Sequence, residues 1–356
     1  MKRPYTTVLI VPTGIGAAIG GYAGDALPVA RSLAQVSDCL ITHPNVLNGA
    51  QLYWNLPNAL YVEGYGLDQF AAGTWGLSLV HQNRIGLILD QGIEPDLQVR
   101  HLQAADATRA TLGLHLTEYV VTDAPLGVEL KTAASGATWG TIANPDSLLR
   151  AAERAIQEAG AEAIAVVARF PDDSGTEALQ NYRQGKGVDP LAGAEAVISH
   201  LVVREFQVPC AHAPALSPLP LDPTISPRSA AEELGYTFLP CVLVGLSRAP
   251  QFITNSNSAG GQIWADQVDA VVVPATAFGG SAVMSLGRSR TNSPLVIAVR
   301  DNHTTMQVPP EFVGISAIRV NSYLEAVGMV AAHRAGVYPH ALNAAIAPLQ
   351  WLDDVN

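Results

Sequence analysis

Lysine is nearly absent from this chain of 356 residues: Lys2, Lys131 and Lys186 are the three, and the other seventeen cations are arginines. That scarcity leaves few anchors for a Schiff base and sets pyridoxal phosphate chemistry aside. Cysteine is scarce too. Cys39, Cys210 and Cys241 are too few and too scattered for a disulfide framework, and no CxxC occurs. A reducing, cytoplasmic compartment is the simplest expectation. Charged residues make up 14% of the chain, against roughly 25% in soluble proteins generally. With 48% hydrophobic residues, the balance excludes a disordered chain, which needs low hydrophobicity and high charge. Long uninterrupted apolar runs are missing as well. The uncharged stretch Pro4–Gly24 is broken by Pro12 and by Gly14, Gly16, Gly20, Gly21 and Gly24, and its apolar part is only Val8–Val11. It reads as a buried strand and a glycine loop rather than a signal peptide. The later run Ala270–Gly287 is interrupted in the same way, so no transmembrane helix and no membrane partner are expected. A net charge of −11 argues against a general nucleic-acid binder, because polyanions reward a basic surface, but leaves room for a local basic pocket.

What is present is glycine and proline, 31 and 24 residues, shaping loops between short apolar runs. Val8–Val11, Cys39–Thr42, Ile85–Leu89, Tyr119–Val121, Ile164–Ala168, Val242–Gly245, Val271–Val273 and Leu295–Val299 read as strands. Helical patterns lie between them at Ala26–Val36, Val99–Thr111, Pro145–Ala159, Ala192–Leu201 and Tyr323–Arg334, with Gly160 as a stop signal. Strands apolar on both faces and alternating with helices predict an α/β fold with a mostly parallel, doubly wound or layered sheet, in two lobes around a cleft. The expected division is 1–135 and 136–356, with the glycine- and alanine-rich Thr132–Thr141 as the hinge, unless the whole is one compact unit. Pro214–Pro227 reads as a long surface or lid loop. Val8–Gly14 is echoed by Val271–Thr276 followed by Gly279-Gly280, two strand-to-loop turns that would face one another across the cleft.

Thr13, Gly14, Gly16, Gly20 and Gly21 follow a strand and precede a helix, the right setting for an anion-binding loop, with Asp25 and Asn45 nearby. The dinucleotide spacing GxGxxG and the P-loop Gly-Lys-Ser/Thr are both missing. Tyr182 and Lys186 have YxxxK spacing, but Gly185 and Gly187 break the helix that motif needs. His43, His212 and His303 each accompany an apolar run, where open α/β sheets bind ligands. Asp301 and His303, with His43 and His212, are the candidate acid–base residues. Arg169, Ser247, Arg248 and Arg300 would receive an anion, as would Thr276, Gly279 and Gly280 in the echoed loop. No tight metal-ligand spacing occurs, and no metal is assigned. Cys39 and Cys210 raise the alternative of a cofactor-independent racemase or isomerase with opposing thiols.

Val11–Ala34, Leu40–Trp54 and Gly193–Leu216 together resemble a conserved, mainly cyanobacterial family of uncharacterised proteins, a domain of unknown function. The resemblance spans nearly the whole chain and implies a soluble protein of a photosynthetic bacterium, with no catalytic residues to carry over. Gly20–Asp25 also bears a local similarity to phosphate acyltransferases. The expectation is therefore an enzyme, of transferase or isomerase class, acting on a small anionic metabolite bearing phosphate or carboxylate. Acyl or phosphoryl transfer leads, and the cofactor is unknown. The alternative is a non-enzymatic metabolite-binding or assembly protein, and a homo-oligomer would hide apolar surface.

Overall fold

The computed structural model describes residues 3–48, 54–172, 175–234, 238–255, 261–289 and 293–349. Met1 and Lys2, and residues 49–53 of the second family-like segment, lie outside the described residues.

The chain opens with β1 (Thr6–Leu9), α1 (Leu27–Gln35), β2 (Cys39–Thr42), α2 (Pro44–Leu47), β3 (Ala59–Tyr61) and α3 (Gly64–Ala71). A central stretch follows with β4 (Gly76–Ser78), β5 (Ile85–Leu89), α4 (Pro95–Leu112), β6 (Val120–Val121), β7 (Val128–Thr132) and β8 (Thr138–Ile142). It continues through α5 (Pro145–Gln157), β9 (Ala163–Arg169), α6 (Glu177–Arg183), α7 (Ala192–Phe206) and β10 (Cys210–Ala215). Next come α8 (Ala230–Leu234), α9 (Leu239–Ser247), β11 (Gln251–Ile253) and β12 (Gln262–Ile263). The last stretch holds β13 (Val268–Pro274), α10 (Ser281–Gly287), β14 (Leu295–Val299), β15 (Ile318–Val320) and α11 (Tyr323–Arg334).

Two parallel sheets dominate. The larger has six strands in the order β15-β14-β13-β1-β2-β3, and the smaller has four in the order β10-β9-β5-β6. Both are parallel throughout, as runs apolar on both faces require. The mixed α/β class with a mostly parallel central sheet is what the sequence pattern predicts. The larger sheet takes strands from both ends of the chain and the smaller from its middle. A division at 135 falls between the two strands of the β7–β8 hairpin, which also contains Thr132–Thr141.

The echoed segments do not oppose one another. They are neighbours, with Val8 opposite Val271 and Leu9 opposite Val272, at the centre of the larger sheet. From β1 the chain winds outward through β2 and β3, and from β13 it winds the other way through β14 and β15. The strand order therefore reverses between β1 and β13, and their carboxyl ends flank a natural crevice. In the smaller sheet the same reversal lies between β5 and β9.

Val242–Gly245 is not a strand. It belongs to α9, whose Leu239, Val242, Leu243 and Leu246 are completely buried. A short apolar run carries no period that separates a buried helix from a buried strand. His212 lies within β10, not after it.

Candidate active site

A cavity of about 520 Å³ opens at the carboxyl ends of β1, β2, β3 and β13 and is closed on its far side by α7 and β10. Ile10, Pro12 and Thr13 after β1, and Gly279 and Gly280 after β13, line it, so the crevice at the strand-order reversal is open. Leu216, Ser217 and Leu219 of the proline-rich loop line it as well. That loop is held down by Arg183, whose Nη2 donates to Pro220 O at 2.8 Å. The Nε of Arg183 donates to Glu233 Oε1 at 2.6 Å.

The chemistry concentrates where α3 meets α7. β3 ends at Tyr61, and Glu63 caps α3, its Oε2 accepting from the backbone N–H of Tyr65 at 2.8 Å and of Gly66 at 3.1 Å. A carboxylate suits the positive end of a helix. The other oxygen, Oε1, lies 2.6 Å from His200 Nδ1, a close ion contact rather than an aligned hydrogen bond. Ser199 Oγ donates to the same Oε1 at 3.4 Å and sits 3.2 Å from His212 Nδ1. On the other edge of that ring, His212 Nε2 is 3.7 Å from Glu195 Oε2. Glu195 and Ser199 are four apart on α7 and so share one face of it. Gly64 makes room for His200, since a Cβ there would stand 3.0 Å from His200 Cε1.

Burial alone would lower the His200 imidazole, but Glu63, with Asp68 behind it, outweighs burial and raises it. A histidine raised in the folded state contributes stability that is complete below its ordinary value, about 6.5, and is lost as pH rises through the raised value. Glu63→Gln should therefore flatten the loss of stability that sets in as pH rises above about 6.5, read by denaturant melts at several pH values. A decline as steep as in the wild type would remove the pair as its source.

His43 behaves differently. Its Nε2 accepts the backbone N–H of Val11 at 3.0 Å, which leaves the proton on Nδ1. Burial pushes the ring down to about 4, so it stays neutral. It pins β1 to β2 and lines the cavity with a neutral imidazole.

Among the described residues, six carboxylates line this cavity, those of Glu63, Asp68, Asp172, Asp189, Glu195 and Glu233, and no lysine or arginine does. Asp68 accepts from Ala282 N at 2.9 Å, and burial raises its carboxyl. Arg169 holds Asp172 down to about 2.

The sequence-derived candidates divide. His43, His212, Thr13, Asn45, Gly279 and Gly280 meet at this cavity. His303 and Gly16 line a separate depression, and Asp301 and Arg300 are exposed on the loop after β14. Arg169 is engaged by Glu94 and Asp172, both at 2.8 Å, and Arg248 by Asn55 at 2.5 Å. Ser247 is buried in α9, donating to Val244 O at 2.7 Å, and Thr276 is bonded to Thr304 at 2.9 Å. In the glycine loop the amides of Ala18, Ile19 and Gly20 are taken by His303 O, Asn302 Oδ1 and Asp25 Oδ1. Gly14 O accepts from Thr138 N at 3.0 Å, and a Cβ on Gly21 would lie 2.3 Å from Ala17 O. Much of this loop is therefore packing. Glu63, Glu195, Ser199 and His200 are absent from those candidates. Glu195 and Ser199 were visible as a four-residue spacing on a helix, and Glu63 as an acid closing the run Tyr61-Val62.

The family model for a protein of unknown function, DUF3326, matches residues 6–343. An uncharacterized lipoprotein of a Synechococcus species is 61% identical over 353 residues, covering 99% of this chain and 97% of that protein. No solved structure matches the chain. The relative's lipoprotein name overturns the cytoplasmic location expected from cysteine usage. Few cysteines show only that the fold is not stapled by disulfides, and a chain of this size buries enough core without them.

Proposed function

We propose an acid–base activity for a chain that belongs to the DUF3326 family, whose function is unknown: proton transfer on a small neutral or positively charged molecule held in the cavity. The observation that carries the reading is the unbroken contact path His200–Glu63–Ser199–His212 along one cavity wall. His212 takes a proton from the substrate, and His200, held toward its charged form by Glu63, returns one elsewhere on the same molecule. Exchange with solvent through the open cavity then resets both imidazoles, while Glu63 and Ser199 hold them in place. The net change is an isomerisation.

Arg169 and Arg183 offset Asp172 and Glu233, but Asp68, Asp189 and Glu195 on the remaining wall favour a cationic or uncharged substrate over the anionic metabolite that the glycine loop suggested, because an anion would face like charge. The thiol alternative has less to stand on. Neither Cys39 nor Cys210 lines the cavity, and burial pushes both thiols up, Cys39 to about 12.

Thermal unfolding with a panel of small amines, neutral polyols, carboxylates and phosphates tests the substrate class. An amine or polyol at a hundred times its Kd should add about 2.7 kcal/mol of stability. Incubating that molecule with the protein in deuterium oxide should exchange a carbon-bound proton, and His212→Asn should slow the exchange by at least about 100-fold. Stabilisation by carboxylates alone would overturn the substrate class. A bound molecule that never exchanges would overturn the activity and favour a binding protein.

A further inference from the structure

The second hollow, a depression of about 420 Å³, has the opposite character. Its wall includes Gly16, Gly185, Gly187, Arg228 and His303, and among the described residues lining it there is no carboxylate. In a chain of net charge −11, with six carboxylates in its larger cavity, such a surface is a local exception. We propose that this depression is a second binding site, which takes a phosphate or a phosphomonoester.

Arg228 carries the argument. Its Nη1 is fixed by Asp25 Oδ2 at 3.0 Å, and Asp25 is in turn fixed by the amide of Gly20 at 2.6 Å. The Arg228 side chain is nevertheless 46% exposed, so one edge of the guanidinium is anchored and another remains available. A guanidinium oriented in advance loses less freedom when it binds an oxyanion in a two-point contact. His303 lies on the same wall and is exposed, and Lys186 sits between the two lining glycines Gly185 and Gly187. Those glycines and Gly16 have φ of 75°, 82° and 59°, a backbone region closed to most side chains, so the walls carry no bulk there.

Three of the loop amides are not the donors. Ala18, Ile19 and Gly20 already donate within the protein, so recognition falls to side chains and is removable by substitution. The glycine loop and His303, which the sequence joined to the larger cavity, would then serve a different ligand.

Calorimetric titration of the full chain with inorganic phosphate, and separately with phenyl phosphate, tests the site, with sodium chloride as the ionic-strength control. Binding of either in the millimolar range or tighter is expected, and the stronger of the two identifies a free or an esterified phosphate. Arg228→Lys keeps the charge opposite Asp25 but loses the two-point contact, and should weaken binding about tenfold. His303→Ala, at an exposed position, should weaken it several-fold with the melting temperature unchanged. His212→Asn, in the larger cavity, should leave it as in the wild type. Failure of both phosphates to bind the wild type overturns the proposal. So does full affinity in both Arg228→Lys and His303→Ala, and loss in His212→Asn would assign the phosphate to the larger cavity.

Discussion

Replacing Asp90 with alanine should remove about 3–5 kcal/mol of unfolding free energy, the largest single effect on stability expected outside the apolar core. Asp90 is 1% exposed and stands directly after β5, at the strand-order reversal of the smaller sheet. Its Oδ1 accepts the backbone N–H groups of Gly92 and Leu126, each at 2.9 Å, and its Oδ2 accepts that of Arg169 at 3.0 Å. Alanine would leave three donors without that acceptor. Asparagine keeps one oxygen and turns an NH2 group toward one of the former donors, so Asp90→Asn should cost roughly half as much. Guanidinium chloride melts measure both, and an alanine variant within about 1 kcal/mol of wild type would contradict this account. The comparison with the larger sheet is instructive. There the reversal is an open cavity, whereas here a buried carboxylate fills the equivalent place.

Gly193→Ala should cost about 3 kcal/mol and should also abolish ligand-induced stabilisation at the larger cavity. A Cβ on Gly193 would lie 2.3 Å from Thr138 O and 2.3 Å from Trp139 Cα, both backbone atoms of β8. Flexible side chains could yield, but a paired strand cannot. α7 would have to move away from the hairpin, carrying Glu195, Ser199 and His200 with it. The facing residue Gly140 is equally confined, since its Cβ would be 2.4 Å from the Ala194 methyl. A variant that melts at the wild-type temperature and still responds to ligand would show that α7 does not depend on this contact.

How much was legible in the sequence depends on whether the information was local. β2, β5 and β14 match their apolar runs residue for residue, and α11 matches its helical pattern. These segments have turn or capping residues at their ends. α9 was misread because burial on every side erases its helical period. Pairing partners are not local at all, so the likeness of β1 and β13 showed two similar strands without showing that they touch. The site follows the same rule. His43 and His212 stood out because each accompanies an apolar run. Glu63 and His200 meet only because α3 packs on α7, across a gap in sequence that no spacing reveals. Asn302, between the candidates Asp301 and His303, is structural. It is fully buried, holding Ile19 through both its amide groups and donating to Tyr323 Oη at 2.7 Å.

The central pairing of the larger sheet also sets a clock on the ribosome. Thr6 donates to Asp269 Oδ2, 263 positions further along the chain. At about 5–20 residues per second, roughly 13–50 s of translation separate the two strands. Throughout that interval the nascent β1 has β2 on one flank and nothing of its own on the other. An apolar strand edge bare for tens of seconds is a template for foreign pairing. The newborn chain is thus most vulnerable through most of its synthesis, from the completion of β1 until β13 emerges.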